Sequence, residues 1–204
     1  MSIRSSVQFV FIVIVIILIL IPRDSPAQLI FRGSFESGLL ASLGFVVVWQ
    51  DYREDPVDIT EVRIQGFDNL FAESAGNNYA PGTQNLPSIA MAADGSFVVV
   101  WEDDSDGNGS YQVKARLFNP DGSERYGART VNTAGAGQQL RPKIAMAPNG
   151  DYVVIWHDDQ EKDGRYDLLC RGFYANGAER FSDRRINDPN THGAINPVIA
   201  MADD

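Results

Sequence analysis

A chain of 204 residues with 44% hydrophobic and 22% charged side chains can bury a sizeable core in one or two domains, which excludes intrinsic disorder. Its 17 basic residues face 27 acidic ones, a net charge of −10 with histidine neutral, so its surface repels phosphate backbones, excludes nucleic acid as a partner and favours cations. The single cysteine, Cys170, leaves no internal disulfide to stiffen the fold.

The chain opens on an export signal. Arg4 precedes the apolar run VQFVFIVIVIILILIP, and the small residues Ser25 and Ala27 prepare a cut after Ala27. An uncleaved anchor is the competing reading, because the uncharged stretch from Ser5 to Pro22 reaches the lower length limit of a membrane-spanning helix. Either way, residues 28–204 are expected to be secreted or at the cell surface, with membrane contact only through an uncleaved 1–27 segment. Cleavage takes away two of the 17 basic side chains (Arg4, Arg23) and one of the 27 acidic ones (Asp24), leaving 15 and 26 and a net charge of −11.

From there the chain repeats itself. FVVVW occurs at Phe45–Trp49 and Phe97–Trp101, with YVVIW at Tyr152–Trp156. PSIAMAADGSFVVVW starts at Pro87, PKIAMAPNGDYVVIW at Pro142 and PVIAMADD at Pro197, both steps being 55 residues; Trp49 to Trp101 is 52. A fixed period of this size marks a modular array whose units bury their apolar faces against one another. The units fall at about 28–80, 81–140 and 141–196, and a further one starts at 197–204. In the first, the opening strand around GLLASLG is degenerate. In the second, SIAMA is a short strand, ADG a tight turn, and FVVVW a β-branched run covered on both faces and therefore central in its sheet. YQVKARLF alternates as a strand with one wetter face, NPDGS turns the chain, and RYGARTVNT is a polar edge strand. The third unit repeats this order. The fold class is all-β: tandem four-stranded antiparallel units that fit β-propeller blades, with a β-solenoid or a string of sandwiches as competitors. Three units and a stub are fewer than the four to eight blades of a closed propeller, so further repeats or self-association are expected.

The succession P-x-I-A-M-A-x-D-G-x-F-V-V-V-W, then A-R-L-F-N-P-D-G and V-N-T, resembles the tandem repeats of very large secreted or surface bacterial proteins, often found beside hemolysin-type calcium-binding modules. The resemblance covers roughly residues 41–204. It implies a propeller-like or adhesive module. The calcium nonapeptides of such proteins are absent from this sequence, so no toxin role is carried over.

An acidic loop follows each tryptophan. Asp159, Glu161, Asp163, Gly164 and Asp167 take positions 1, 3, 5, 6 and 9 of a D-x-[DN]-x-[DN]-G-x-x-D loop, and Asp104, Asp106, Asn108, Gly109 and Gln112 take the same places one unit earlier. Calcium needs six to eight oxygens, and alternate carboxylates in a tight glycine-containing loop aim at one centre. The candidate calcium ligands are thus Asp159, Glu161, Asp163, Asp167, Asp104, Asp106 and Asn108. Ala115 and Cys170 stand where an EF-hand has its bidentate glutamate, which excludes that motif. Polar hairpin loops use the same residue types without a metal, and the first unit's Asp51, Arg53, Asp55 and Pro56 form a degraded copy.

No catalytic fingerprint is present, and His157 and His192 are isolated candidates for a general base. Trp49, Trp101 and Trp156 end apolar strands and read as core rather than as a sugar-stacking platform. Cys170 aligns with Ala115 as a small core residue, and Arg63, Arg116 and Arg171 recur as a structural ion-pair position. These features predict an exported, non-catalytic binding or adhesion module with calcium-stabilised acidic loops, its ligand a carbohydrate or a protein at the cell surface. A fragment of a propeller enzyme acting on carbohydrate, glycosidase- or lyase-like, is the alternative.

Overall fold

The computed structural model describes residues 28–31, 45–52, 60–67, 71–77, 82–133, 137–188 and 196–202. Among them there is no helix, and so none long and apolar enough to cross a membrane. Twelve strands form three four-stranded antiparallel sheets, each a meander in sequence order. The first holds β1 (Gln28–Phe31), β2 (Phe45–Tyr52), β3 (Thr60–Gly66) and β4 (Ser74–Ala75). The second holds β5 (Thr83–Met91), β6 (Phe97–Asp104), β7 (Gln112–Phe118) and β8 (Glu124–Thr130). The third holds β9 (Gln138–Met146), β10 (Tyr152–Asp159), β11 (Asp167–Phe173) and β12 (Glu179–Arg185). The export signal, the GLLASLG segment and His192 lie outside the described residues, as do Arg53, Asp55 and Pro56 of the first acidic loop.

The sheets stack on one another through their faces. The β5 strand packs on β1, β2 and β3, and β9 packs on β5, β6 and β7. The repeated apolar run is the second strand of every sheet, paired on both edges, and in the second sheet its side chains alternate between two cores. Phe97, Val99 and Trp101 join Val46, Val48, Val62 and Ile64 between the first and second sheets. Val98 and Val100 join Tyr152, Val154 and Trp156 between the second and third. A strand buried on both faces has no place for a polar residue, which is why the run is continuous rather than alternating. Each such valine withdrawn from water contributes roughly 1.5–3 kcal/mol. The fourth strands are the polar edges: Glu124, Arg125, Gly127 and Thr130 of β8 are exposed.

The opening strands are longer than SIAMA. The β5 and β9 strands start upstream of Pro87 and Pro142, at Thr83 and Gln138, so a unit boundary at 140/141 falls inside β9. Proline has no N–H to give to the ladder and reads as a strand start, but here the chain passes it through a bulge. The residue before each proline takes a left-handed conformation: Leu86 (φ 48°), Arg141 (φ 53°) and Asn196 (φ 53°). That strain is compensated across sheets, because the Leu86 N–H donates to Gln50 Oε1 at 3.3 Å and the Arg141 N–H to Glu102 Oε1 at 2.5 Å. Gln50 and Glu102 are equivalent residues, each directly after its tryptophan.

Candidate functional site

Both described acidic loops join the second and third strands of their sheets and lie at the same edge of the stack. Their tips, Asp106–Gly109 and Gln160–Arg165, are exposed. Short polar side chains fix each loop by closing on its own backbone. Asp104 accepts the Gly109 N–H at 3.2 Å on both carboxylate oxygens, Asp106 accepts the Asn108 N–H at 3.3 Å, and Asn108 Oδ1 accepts the Ser110 N–H at 2.7 Å. One unit on, Asp159 accepts the Asp163 N–H at 3.0 Å and the Gly164 N–H at 3.3 Å, and Asp163 accepts the Arg165 N–H at 2.9 Å. These are the side-chain-to-backbone bonds that let Asp and Asn specify turns.

The proposed ligands do not all meet. The structure brings Asp159 and Asp163 together, and Asp106 and Asn108 together through a 2.6 Å amide–carboxylate bond. Asp167 is only 4% exposed, is ion-paired with Arg185, and accepts the Asn187 amide at 3.1 Å. Glu161 stays exposed at the loop tip, 3.9 Å from the same guanidinium. Arg185 therefore holds a cation between positions 3 and 9 of the third-unit loop. Among the described residues no three His, Cys, Asp or Glu side chains converge in a way that could hold a metal ion.

Just behind the loops lies a buried polar layer that the sequence reading did not single out. Asn77, Asn132 and Asn187 follow the fourth strands at equivalent positions, and each Oδ1 accepts a third-strand N–H: Val62 at 3.2 Å, Val113 at 2.9 Å and Leu168 at 2.8 Å. Their amides donate in turn, Asn77 to Gln84 at 3.1 Å, and Asn132 to Gln112 at 2.8 Å and to Gln139 at 3.4 Å. Gln84 and Gln139 are 0% and 1% exposed and stand at the start of the next unit's opening strand, so the asparagine ties one sheet to the next. The sequence signal was present, since the asparagine of V-N-T recurs at the unit period, but asparagine in a loop reads as a turn former. Replacing Asn132 by alanine strands the Val113 N–H in a buried position, and is expected to lower the unfolding free energy by about 1–3 kcal/mol in urea titrations. Asparagine at an exposed turn, such as Asn149, is expected to cost less when truncated.

Two of the three tryptophans belong to the core. Trp101 and Trp156 are 1% and 0% exposed, and each indole N–H donates to the aspartate two residues on, Asp103 at 3.1 Å and Asp158 at 3.3 Å. Burial pushes the Asp158 carboxyl up, opposed by bonds from Trp156, Gln160 and Gln139. Burial likewise pushes Glu102 up, against the Arg141 N–H and the charges of Arg141 and Lys143. His157 occupies the corresponding position in the third unit; burial and then the Arg141 charge pull its pKa down, so the imidazole is neutral at pH 7. Trp49 is half-buried. The recurrent arginines do form ion pairs, with the glutamates that open the fourth-strand segments: Arg63 with Glu73 at 2.7 Å, Arg116 with Glu124, and Arg171 with Glu179 at 3.7 Å and Asp183 at 2.6 Å. Cys170 is a half-buried free thiol opposite Ile155.

No family model matches the chain, and no curated protein matches it. Among solved structures it is similar to the crystal structure of a glycosyl hydrolase from Bacteroides ovatus, at 11% identity and a TM-score of 0.41. The alignment covers 78% of this chain and 49% of that one, so the chain spans about half the length of the structure it matches.

Proposed function

We propose that the three sheets are blades of a propeller-like array and that the chain acts outside the cytoplasm as a binding or adhesion module, with the row of second-to-third-strand hairpins as its recognition surface. The observation that carries this reading is the repetition of one exposed, internally braced loop at one edge of successive sheets. Such a row presents carbonyls, amides and carboxylates at a fixed period, which suits a carbohydrate or protein ligand of extended shape. The net charge of −10 directs the choice towards neutral or cationic partners.

The test is binding of the full chain to panels of neutral glycans and basic surface proteins, repeated with Asp106→Ala and Asp163→Ala together. Both residues lie in exposed loops, so the melting temperature is expected to stay within a few degrees while ligand affinity falls by about tenfold or more. If the same pair instead abolishes a glycan-cleaving activity at unchanged stability, the carbohydrate-enzyme reading replaces the binding one.

Calcium belongs to the same proposal. Asp104 and Asp159 are the first-position ligands of two loops with the spacing a hard cation needs, and binding selective for the folded state raises stability by RT ln(1 + [L]/Kd), about 2.7 kcal/mol at a hundredfold excess over Kd. A calcium-specific rise in the melting temperature, absent with magnesium or chelator and reduced by Asp159→Ala with Asp163→Ala, is the expected result. Equal melting under all three conditions would leave the loops as turns braced by their own backbone.

A further inference from the structure

One hydrogen bond recurs at the seams between units, and in the third unit its acceptor changes chemistry. The residue directly after the tryptophan accepts the N–H of the left-handed residue that precedes the next unit's proline. Gln50 Oε1 accepts from Leu86 at 3.3 Å, and Glu102 Oε1 accepts from Arg141 at 2.5 Å. In the third unit the corresponding acceptor is His157 and the corresponding donor is Asn196, which keeps the left-handed φ of 53° before Pro197. His157 is 3% exposed, and its Nε2 is buried with no hydrogen-bond partner. An amide oxygen accepts at any pH, and a carboxyl group keeps an acceptor oxygen even when protonated. An imidazole nitrogen accepts only in the neutral ring, because both nitrogens donate in the cation.

The groups around His157 offer a proton there no compensation. From β9, the Arg141 guanidinium donates to Asn196 Oδ1 at 3.1 Å, and among the described residues its charge is the one that acts on the imidazole. Lys143, further along β9, stands opposite Ile155, and Glu102 lies beyond Arg141 on the second sheet. From the β11 side, Leu168 is opposite His157, the Tyr166 ring centroid lies 6.1 Å away, and the half-buried Cys170 thiol is opposite Ile155. On β10 itself, Asp158 accepts the Trp156 indole and the Gln160 N–H, while Asp159 accepts the Asp163 and Gly164 N–H groups. Residues 196–202 carry no ionisable side chain. Burial, and then the Arg141 charge, hold the His157 pKa below its ordinary value of 6.5.

We propose that His157 is an acid-sensitive latch between the third sheet and residues 196–202. The neutral imidazole accepts the Asn196 N–H at Nε2 and holds the segment on the sheet, as Glu102 holds Arg141. The imidazolium presents a donor to a donor, beside the Arg141 cation, and releases it. The segment has a packed side to release: Pro197, Ile199 and Met201 are half-buried and alternate with exposed residues, Val198 at 90% among them. Its departure uncovers the face that carries Ile155, which is 4% exposed and lies two residues from His157 on the same side of β10. A histidine held neutral by its contacts contributes stability that is fully present above its free pKa of about 6.5 and is lost as pH falls below it.

The latch depends on the repeated seam and not on the ligand or calcium proposals. Hydrogen exchange of the full chain, read by mass spectrometry on the peptide containing residues 196–202 and corrected for the intrinsic pH dependence of exchange, measures the opening. Between about pH 7.5 and about pH 5 the opening constant is expected to rise severalfold, the limit for one proton being about tenfold per pH unit. His157→Gln, which installs the acceptor of the first unit, is expected to keep exchange at about pH 7.5 within about twofold and to abolish the response to acid. His192→Gln is expected to leave that response intact. Because the chain has two histidines, the same variant isolates the His157 ring for NMR titration. Exchange should begin to rise below about pH 6.5 and level off where that ring titrates. This coincidence needs no change at position 157, so it decides the matter even if His157→Gln opens at both pH values. An acid response that survives His157→Gln, or that His192→Gln removes, overturns the latch. So does exchange that stays flat while the His157 ring titrates.

Discussion

Trp156→Ala and Trp101→Ala are each expected to lower the unfolding free energy by about 3–5 kcal/mol, enough to unfold much of a domain whose total stability is on the order of 5–15 kcal/mol. Each indole sits between two sheets, so its removal opens a cavity bounded by two strand faces that cannot close without moving both. Truncation also leaves Asp103 or Asp158, which are 7% and 6% exposed, without the indole donor. Trp49→Ala is expected to cost about half as much or less, because that ring is only half-buried. Urea denaturation of the three variants, followed by far-ultraviolet circular dichroism, decides it: equal losses at all three positions would contradict the burial of Trp101 and Trp156 between sheets. Trp156→Phe, which keeps most of the apolar volume but not the N–H, separates the cavity from the lost hydrogen bond.

What was legible in the sequence follows from which interactions leave a one-dimensional trace. A strand covered on both faces must be apolar at every position, so FVVVW and YVVIW announced themselves as central strands, and their recurrence announced the number of sheets. The polar edge was equally plain in RYGART, where nothing is buried. Bonds between sheets leave no such trace. Gln50, Glu102 and His157 are chemically unlike, and only the common geometry of a backbone N–H arriving from the next unit shows that they share one task. Asn132 was hidden for a related reason: a turn-forming asparagine and one that bridges a third strand to the next sheet look the same in sequence. The acidic loops were ambiguous because the alternate carboxylates that suit a cation also suit the loop's own N–H groups. Asp104 and Asp159 bond to their own backbone, and Asp167 is held by Arg185 and Asn187. The first unit was the hardest to place. Its spacing departs from 55, and its opening strand β1 is QLIF, which shares no motif with SIAMA or KIAMA.

Gly137→Ala is expected to cost about 3 kcal/mol or more, while Gly164→Ala, one loop away, should cost about 1 kcal/mol. Both glycines have positive φ, 97° and 76°, so both substitutions meet the left-handed penalty for a residue with a Cβ. Only one of them also meets an obstacle. A Cβ at Gly137 would lie 1.9 Å from the backbone carbonyl oxygen of Asp159, whereas at Gly164 it meets nothing within 4 Å. Backbone cannot rotate aside as a side chain can, so the start of β9 must move away from the end of β10. That shift disturbs the Gln139 amide that meets Asn132 from the second sheet. Gly82 repeats the geometry one unit earlier, its Cβ falling 2.1 Å from the Asp104 carbonyl oxygen, so Gly82→Ala should match Gly137→Ala and Gly109→Ala should match Gly164→Ala. Thermal melts of the four variants test this. The outcome expected is two pairs, grouped by place in the unit rather than by unit; four equal losses would mean that φ alone sets the cost and that the close approach between the two strands relaxes freely.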